Sequence, residues 1–144
     1  MGVKVYVVFY KPEAEGGYKH WAVCLEVDNE DGSDKEYLII QANGSQGRFY
    51  LDMALKKPED SSKFIQKAPV FNLCEDAAQQ IIETARGLRI RNEDETYNCQ
   101  DFVMDLLKAI AQEFFDGNDE DDKESIAYYV KQRKKLFRRM DGFA

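Results

Sequence analysis

Two residues in this sequence could act together as a nucleophile and its base: Cys99 and His20, the only histidine in the chain. Asn98 is a favoured helix N-cap, and apolar residues follow it at the i, i+3, i+4 and i+7 spacing of a half-buried helix. Cys99 is therefore expected in the first helical turn, where the helix dipole and unpaired backbone N–H groups favour a thiolate. We expect a lowered pKa for Cys99 and, because the preceding loop is polar, an exposed sulfur.

A thiol nucleophile requires a base close to its sulfur, and His20 is the one imidazole that the chain offers. His20 follows Gly16-Gly17 at the start of a predicted strand, where a side chain can emerge at the end of a sheet. A third polar group would hold the ring in the useful tautomer. Gln41 and Asn43 are both candidates, and Gln41 is slightly preferred because it lies within the facing strand.

Other residues near this pair are candidates for binding a substrate. The backbone N–H of Cys99 would form an oxyanion site most simply, with a second donor such as Tyr97 or Gln100. Tyr18 and Trp21 flank the histidine and would line a substrate cleft.

Each of these residues also has a structural alternative. Cysteine is often a small buried hydrophobe, and Cys24 and Cys74 are expected to belong to the core for that reason. A lone histidine is often structural, and Asn43 suits simple turn chemistry.

The elements that would position these residues are strands followed by helices. An acidic turn around Asp31-Gly32 would place Val27 opposite roughly Glu36 and His20 opposite roughly Asn43. Strands are predicted over residues 3–10, 20–27, 36–42 and 48–53 and around 70–71, and helices over 77–85, from 99 to about 114 and over about 123–140. This order predicts an α+β fold with a mostly antiparallel sheet of about five strands packed by helices.

Two of the helices have further local signals. Asn72 and Glu75 would form a capping box before the first helix, and Gly87 would end it. The last helix is strongly basic and carries apolar residues near one face, which are Ile126, Tyr129, Val130, Phe137 and Met140. We expect residues 1–115 to form the main domain and residues 116–144 to be an acidic connection and a basic helix packed on it.

Composition excludes several classes of protein. The 144 residues are 44% hydrophobic and 33% charged, as in a soluble globular domain, and no apolar run approaches the ~20 residues of a membrane-spanning helix. A net charge of −7 disfavours a nucleic-acid binder. Three cysteines and one histidine, without a C-x-x-C pair, predict neither a disulfide framework nor a metal or other cofactor. A cytoplasmic location is expected, because the first residues resemble neither a signal peptide nor a myristoylation site.

The chain carries a histidine on an early strand, a polar orienter on the next strand and then the segment Asn98-Cys99-Gln100-Asp101-Phe102-Val103. This order resembles the circularly permuted, papain-like branch of the NlpC-type cysteine peptidase superfamily. That branch includes lecithin retinol acyltransferase-like enzymes and PPPDE isopeptidases. The resemblance covers approximately residues 3–115 and implies a nucleophilic Cys99, a general base His20, and Gln41 or Asn43 as its orienter.

The resemblance implies a thiol hydrolase, such as a thiol protease, or a transferase that forms a thioester on the cysteine. The chain departs from the acyltransferase branch because it lacks a second histidine and a hydrophobic terminal anchor. A peptide, amide or small acyl substrate is therefore expected rather than a lipid. Two alternatives are a non-catalytic binding module with the same fold and an unrelated interaction domain that uses the basic last helix.

Overall fold

The structure, a computed structural model, describes residues 2–12, 15–29, 32 and 34–141, and these form an antiparallel sheet and three α-helices. The elements are β1 (Val3–Tyr10), β2 (His20–Val27), β3 (Glu36–Asn43), β4 (Tyr50–Leu55), β5 (Phe64–Leu73), α1 (Ala77–Gly87), α2 (Cys99–Phe114) and α3 (Glu120–Arg139). Their order in the sheet is β4-β3-β2-β1-β5, and every neighbouring pair is antiparallel. The predicted α+β fold with five strands followed by helices is confirmed.

The two faces of the sheet have different partners because successive side chains of a strand point to opposite faces. One face packs against the helices and forms the main core, with Phe9 and Trp21 among its largest side chains. The other face carries a smaller cluster that includes Tyr10, Ala22 and Cys24. His20 has the same parity as Ala22 and Cys24, and it therefore belongs to this second face.

The register of β2 and β3 positions His20 relative to its predicted partners. Val27 pairs with Glu36, as predicted, and the pairing continues to Val23 and Ile40. Of the predicted turn, Asp31 lies outside the described residues. Gly32, which is described, has φ +76°, a conformation that suits glycine.

The capping box predicted before the first helix is wrong. Asn72 lies within β5, which is ten residues long because it pairs with β1 as far as Leu73 and Val3. Long-range hydrogen bonds therefore extend the strand beyond the short segment predicted around residues 70–71. Helix α1 begins after Asp76, which makes no side-chain capping bond, and it ends at Gly87 as predicted. Cys74 is exposed on this connection and is not a core residue, whereas Cys24 is buried as predicted.

The start of α2 matches its prediction closely. The Asn98 side chain accepts a hydrogen bond from the Gln100 amide at 2.8 Å, and the Asp101 carboxylate accepts one from the Asn98 amide at 2.9 Å. The Asn98 side chain also accepts from the Asp101 amide, and this bond together with the bond from the Asn98 amide to Asp101 forms a capping box, which satisfies backbone donors at the start of the helix. Cys99 is therefore the first helical residue.

Helix α3 packs on the core through fewer apolar residues than predicted. Tyr129 and Leu136 are buried, and the Tyr129 ring stacks on Phe71 with centroids 5.2 Å apart. Val130 and Phe137 are exposed, because the seven-residue spacing of Tyr129 and Leu136 sets a face that excludes them.

Candidate active site

Cys99 is buried at the start of α2, with 1% of its surface exposed. Burial raises the pKa of the thiol to about 11, from an ordinary value of 9.0, although the backbone N–H groups of Trp21, Cys99 and Gln100 oppose this shift. The expectations of a lowered pKa and an exposed sulfur are therefore wrong. Desolvation disfavours the thiolate by more than the N–H groups at the helix start favour it.

The surroundings of the sulfur suit a neutral thiol. The Cys99 thiol donates a weak hydrogen bond to the Lys19 carbonyl oxygen, with an S···O distance of 3.9 Å. A carbonyl oxygen accepts a hydrogen bond from a thiol but repels a thiolate. The same site offers backbone N–H groups to any negative charge that develops on the sulfur.

His20 and Gln41 are joined directly. The Nε2 atom of His20 lies 2.6 Å from the Oε1 atom of Gln41, and the Nε2 atom of Gln41 donates to a carboxylate oxygen of Asp52 at 2.9 Å. An ionised carboxylate only accepts hydrogen bonds, so Asp52 fixes the Gln41 amide with its oxygen towards the imidazole. His20 Nε2 must then carry a proton, and Nδ1 is the nitrogen that can act as a base.

Asn43 makes a different contact. Its side-chain oxygen accepts a hydrogen bond from the Gly44 amide at 3.0 Å, which is turn chemistry. Gly44 itself has φ +113°. Of the two predicted orienters, Gln41 contacts the imidazole through the hydrogen bond described above, and Asn43 lines the same pocket.

A single pocket of about 700 Å³ brings most of these residues together. Cys99, His20 and Gln41 line it, although they come from α2, β2 and β3. Tyr18 lines it too, as predicted for a cleft residue, and proximity to Cys99 contributes, after burial, to a raised pKa of the Tyr18 hydroxyl.

Neither Trp21, predicted as a cleft residue, nor Tyr97, predicted as a possible second oxyanion donor, lines the pocket. Trp21 is fully buried on the helix-facing side of the sheet, where it packs edge-on against Phe9 with centroids 5.1 Å apart. The Tyr97 ring packs against Phe49 in the main core, and its buried hydroxyl has no hydrogen-bond partner among the residues that the structure describes. The alternation of side chains along β2 moves Trp21 to the face opposite His20.

Gln100 does not offer its side chain to an oxyanion either. Its amide nitrogen donates to the Lys19 carbonyl oxygen at 2.9 Å and to the Asp141 carboxylate, and its amide oxygen accepts from the Asp141 backbone N–H at 3.0 Å. The Gln100 side chain therefore holds together the segment before His20 and the residues after α3. The backbone N–H of Cys99 remains the candidate oxyanion donor from the predicted set.

Asp141 is a residue of this region that sequence reasoning missed. Its carboxylate also accepts hydrogen bonds from the Lys19 amide at 3.3 Å and from Lys19 Nζ at 3.2 Å. Burial alone would raise the pKa of Asp141, but the hydrogen bonds from Gln100 and Lys19 hold it below the usual value. No local pattern could have identified this contact, because it joins residues 122 positions apart.

Asp52 was also missed, although a signal for it exists. Asp52 pairs directly with Gln41 across β3 and β4. Extending the predicted strand pairing across the turn at residues 44–49 would have placed a carboxylate beside the orienter.

No group of histidine, cysteine and acidic side chains in the described part of the chain could hold a metal ion. Among the same residues, no helix is both long and apolar enough to cross a membrane. Comparisons with known protein families, with curated protein sequences and with solved structures give no match.

Proposed function

We propose that this protein is a cysteine-nucleophile hydrolase or acyl/amide transferase of the permuted papain-like kind, acting on a peptide, amide or small acyl substrate. The observation that carries the proposal is the convergence of Cys99, His20 and Gln41 on one pocket, with the Gln41 amide fixed by Asp52. A helix-start cysteine, an oriented imidazole and a fixed tautomer are the parts that nucleophilic catalysis requires.

The raised pKa of Cys99 determines how these parts would work. The resting sulfur is a thiol, so His20 Nδ1 takes the S–H proton while the sulfur attacks the substrate carbonyl carbon. The backbone N–H of Cys99 stabilises the oxyanion, and the imidazolium then gives the proton to the leaving amine or alcohol. The thioester left on Cys99 is released by water in hydrolysis or by an amine or alcohol in transfer.

The test is acyl transfer from an activated ester to the protein. We expect p-nitrophenyl acetate to acylate Cys99 in the parent protein, as an acetyl mass gain that neutral hydroxylamine removes and that peptide mapping places on Cys99. His20→Ala should slow this acylation by about 10²- to 10⁴-fold, because it removes the general base. Cys99→Ala should abolish it.

Cys74→Ala is the matched control, because Cys74 is exposed and does not line the pocket. This variant should acylate Cys99 at the parent rate. Acetylation that falls mainly on Cys74, or that is equally fast in His20→Ala, would contradict the proposal.

One observation favours a second candidate, a binding module with the same fold. A buried thiol whose pKa is raised to about 11 is also what a structural cysteine shows. In that case His20 and Cys99 would shape a binding pocket, and the acylation experiment would give no product at Cys99.

A further inference from the structure

We infer that the outward face of α3 docks on a second copy of this chain, with the two helices antiparallel. Tyr129 and Leu136 mark the face of α3 that packs on the domain. Six exposed residues lie on the opposite face, at successive spacings of four, three, four, three and four that keep them in one line along the helix. They form the outward stripe, which consists of Glu120, Glu124, Ala127, Lys131, Lys134 and Arg138.

The charges of the outward stripe are separated by sign. Its first half carries Glu120 and Glu124, its second half carries three cations, and Ala127 lies between them. The helix dipole favours acids in the first turn and bases in the last turn, and its effect falls off beyond those turns. Glu124, Lys131 and Lys134 lie outside the two turns, so the dipole does not account for their order.

Within one chain the outward stripe sets like charges beside each other. Glu120 and Glu124 are four positions apart, as are Lys134 and Arg138, and like charges at that spacing repel. Glu124, Lys134 and Arg138 form no ion pair with any residue that the structure describes. The Glu120 side chain is 84% exposed and pairs with Lys123 through one carboxylate oxygen, at 2.7 Å, which leaves the other oxygen to accept from a further cation. A partner that presents the opposite order of charges would relieve both repulsions.

A second copy supplies that order when the two helices run antiparallel about a twofold axis at the level of Tyr129. Glu120 and Arg138 each lie nine residues from that level, on opposite sides of it, and Glu124 and Lys134 each lie five residues from it. At 1.5 Å per residue these heights are about 13.5 Å and about 7.5 Å, so each glutamate meets a cation of the other copy. The twofold axis repeats both contacts and gives four ion pairs across the interface.

The centre of the outward stripe suits a close approach of two helices. Ala127 has a small side chain, and it faces Lys131 of the second copy, whose aliphatic stem would cover it. Tyr128 and Val130 lie on the two sides of the stripe and are 42% and 43% exposed. Covering these apolar surfaces adds a stabilising contribution that salt does not screen.

The test is the oligomeric state of the protein, measured by sedimentation equilibrium at about 150 mM salt, where the Debye length is about 8 Å. At this ionic strength the repulsion between two copies that each carry a net charge of −7 is largely screened. We expect a weak dimer with a Kd between about 10 µM and about 1 mM, because one helix pair covers less than the roughly 800 Å² per partner of a standard interface.

Two charge reversals test the antiparallel register. The basic variant is Glu120→Lys with Glu124→Lys, and the acidic variant is Lys134→Glu with Arg138→Glu. Either variant alone sets like charges against each other across the twofold axis, so its Kd should rise by at least about tenfold. An equimolar mixture restores all four opposite-charge pairs in a mixed dimer, and its Kd should return to within about threefold of the parent value.

Arg86→Glu with Lys108→Glu is the matched control, because both residues are exposed on other helices and the change in net charge equals that of the acidic variant. This control should keep the parent Kd. The lysines of the basic variant oppose the dipole at the start of α3. If that variant does not fold, Glu120→Gln with Glu124→Gln replaces it and should raise the Kd by at least about threefold.

A parent protein that stays monomeric at about 1 mM would overturn the inference. An unchanged Kd in the acidic variant, or an equal rise in the control, would place any dimer contact elsewhere and would overturn it too. A mixture of the basic and acidic variants that dimerises no better than either one alone would exclude the antiparallel pairing.

Discussion

The pH dependence of Cys99 alkylation tests how burial controls this thiol. With a pKa of about 11 instead of 9.0, the thiolate fraction at pH 7.5 is about 3 in 10⁴ instead of about 3 in 100. Only the thiolate attacks iodoacetamide, so Cys99 should react about 100-fold more slowly than an unperturbed thiol, before any further slowing by limited access. The rate should rise about tenfold per pH unit up to at least pH 10.

The assay is iodoacetamide labelling between pH 6.5 and 10, with each site quantified by peptide mass spectrometry. Cys74, which is exposed, serves as an internal reference in the same sample. His20→Ala should change the rate of Cys99 alkylation by less than about threefold, because burial, and not the imidazole, sets the pKa of the resting thiol.

A Cys99 rate that levels off below pH 8, and that falls or shifts to higher pH in His20→Ala, would refute this reasoning. It would demonstrate a thiolate–imidazolium pair in the free protein. Combined with the acylation experiment, the labelling profile separates a base that acts during attack from one that ionises the thiol beforehand.

Three further outcomes are expected. Gln41→Leu should slow acylation of Cys99 by about 10- to 150-fold, because a hydrogen bond to the imidazolium contributes about 1.5–3 kcal/mol. Asn43→Ala should have little effect on this rate. Equal decreases of the rate in the two variants would contradict the assignment of Gln41 as the orienter. Burial raises the pKa of Cys24 to about 12, so the folded protein keeps this proton while the unfolded chain loses it from about pH 9 upward. Ionisation of this thiol in the unfolded chain should therefore lower the free energy of unfolding by about 1.4 kcal/mol by pH 10. Urea unfolding should show this decrease in the parent protein and not in Cys24→Ala. Asp141→Ala should lower the free energy of unfolding by about 0.5–1 kcal/mol at pH 7, and the parent protein should lose this contribution as the pH falls through the lowered pKa of Asp141. Glu113→Ala, at an exposed site on α2, is the control. An equal loss of stability in Glu113→Ala would exclude a specific role for Asp141.

Local hydrogen bonding and side-chain periodicity were enough to predict several features of this fold. The Asn98 cap and the apolar stripe after it predict where α2 begins, because a capping box involves residues within one turn of one another. The β-branched and aromatic segments predict β1 and β2, because strand propensity and side-chain alternation also depend only on neighbouring residues. The first-turn position of Cys99 and the strand-start position of His20 were therefore readable from the sequence.

Tertiary packing decided the properties that depend on residues far apart in the chain. Whether the sulfur of Cys99 is exposed depends on how α2 meets the sheet, and its burial reverses the direction of the expected pKa shift. Which of the adjacent residues Trp21 and His20 is buried in the main core, and which lines the pocket, follows from which side of β2 the helices cover. The contact of Asp141 with the site requires the end of α3 to return to the segment before β2.

The candidate site combines both kinds of information. The sequence by itself determined the nucleophile and base candidates, because their residue types and their places at the starts of α2 and β2 are local properties. Only the tertiary structure determined that Gln41 contacts the imidazole, that Asp52 fixes its amide and that the resting sulfur is a thiol. Those three depend on strand pairing and desolvation, which arise only when distant segments pack together.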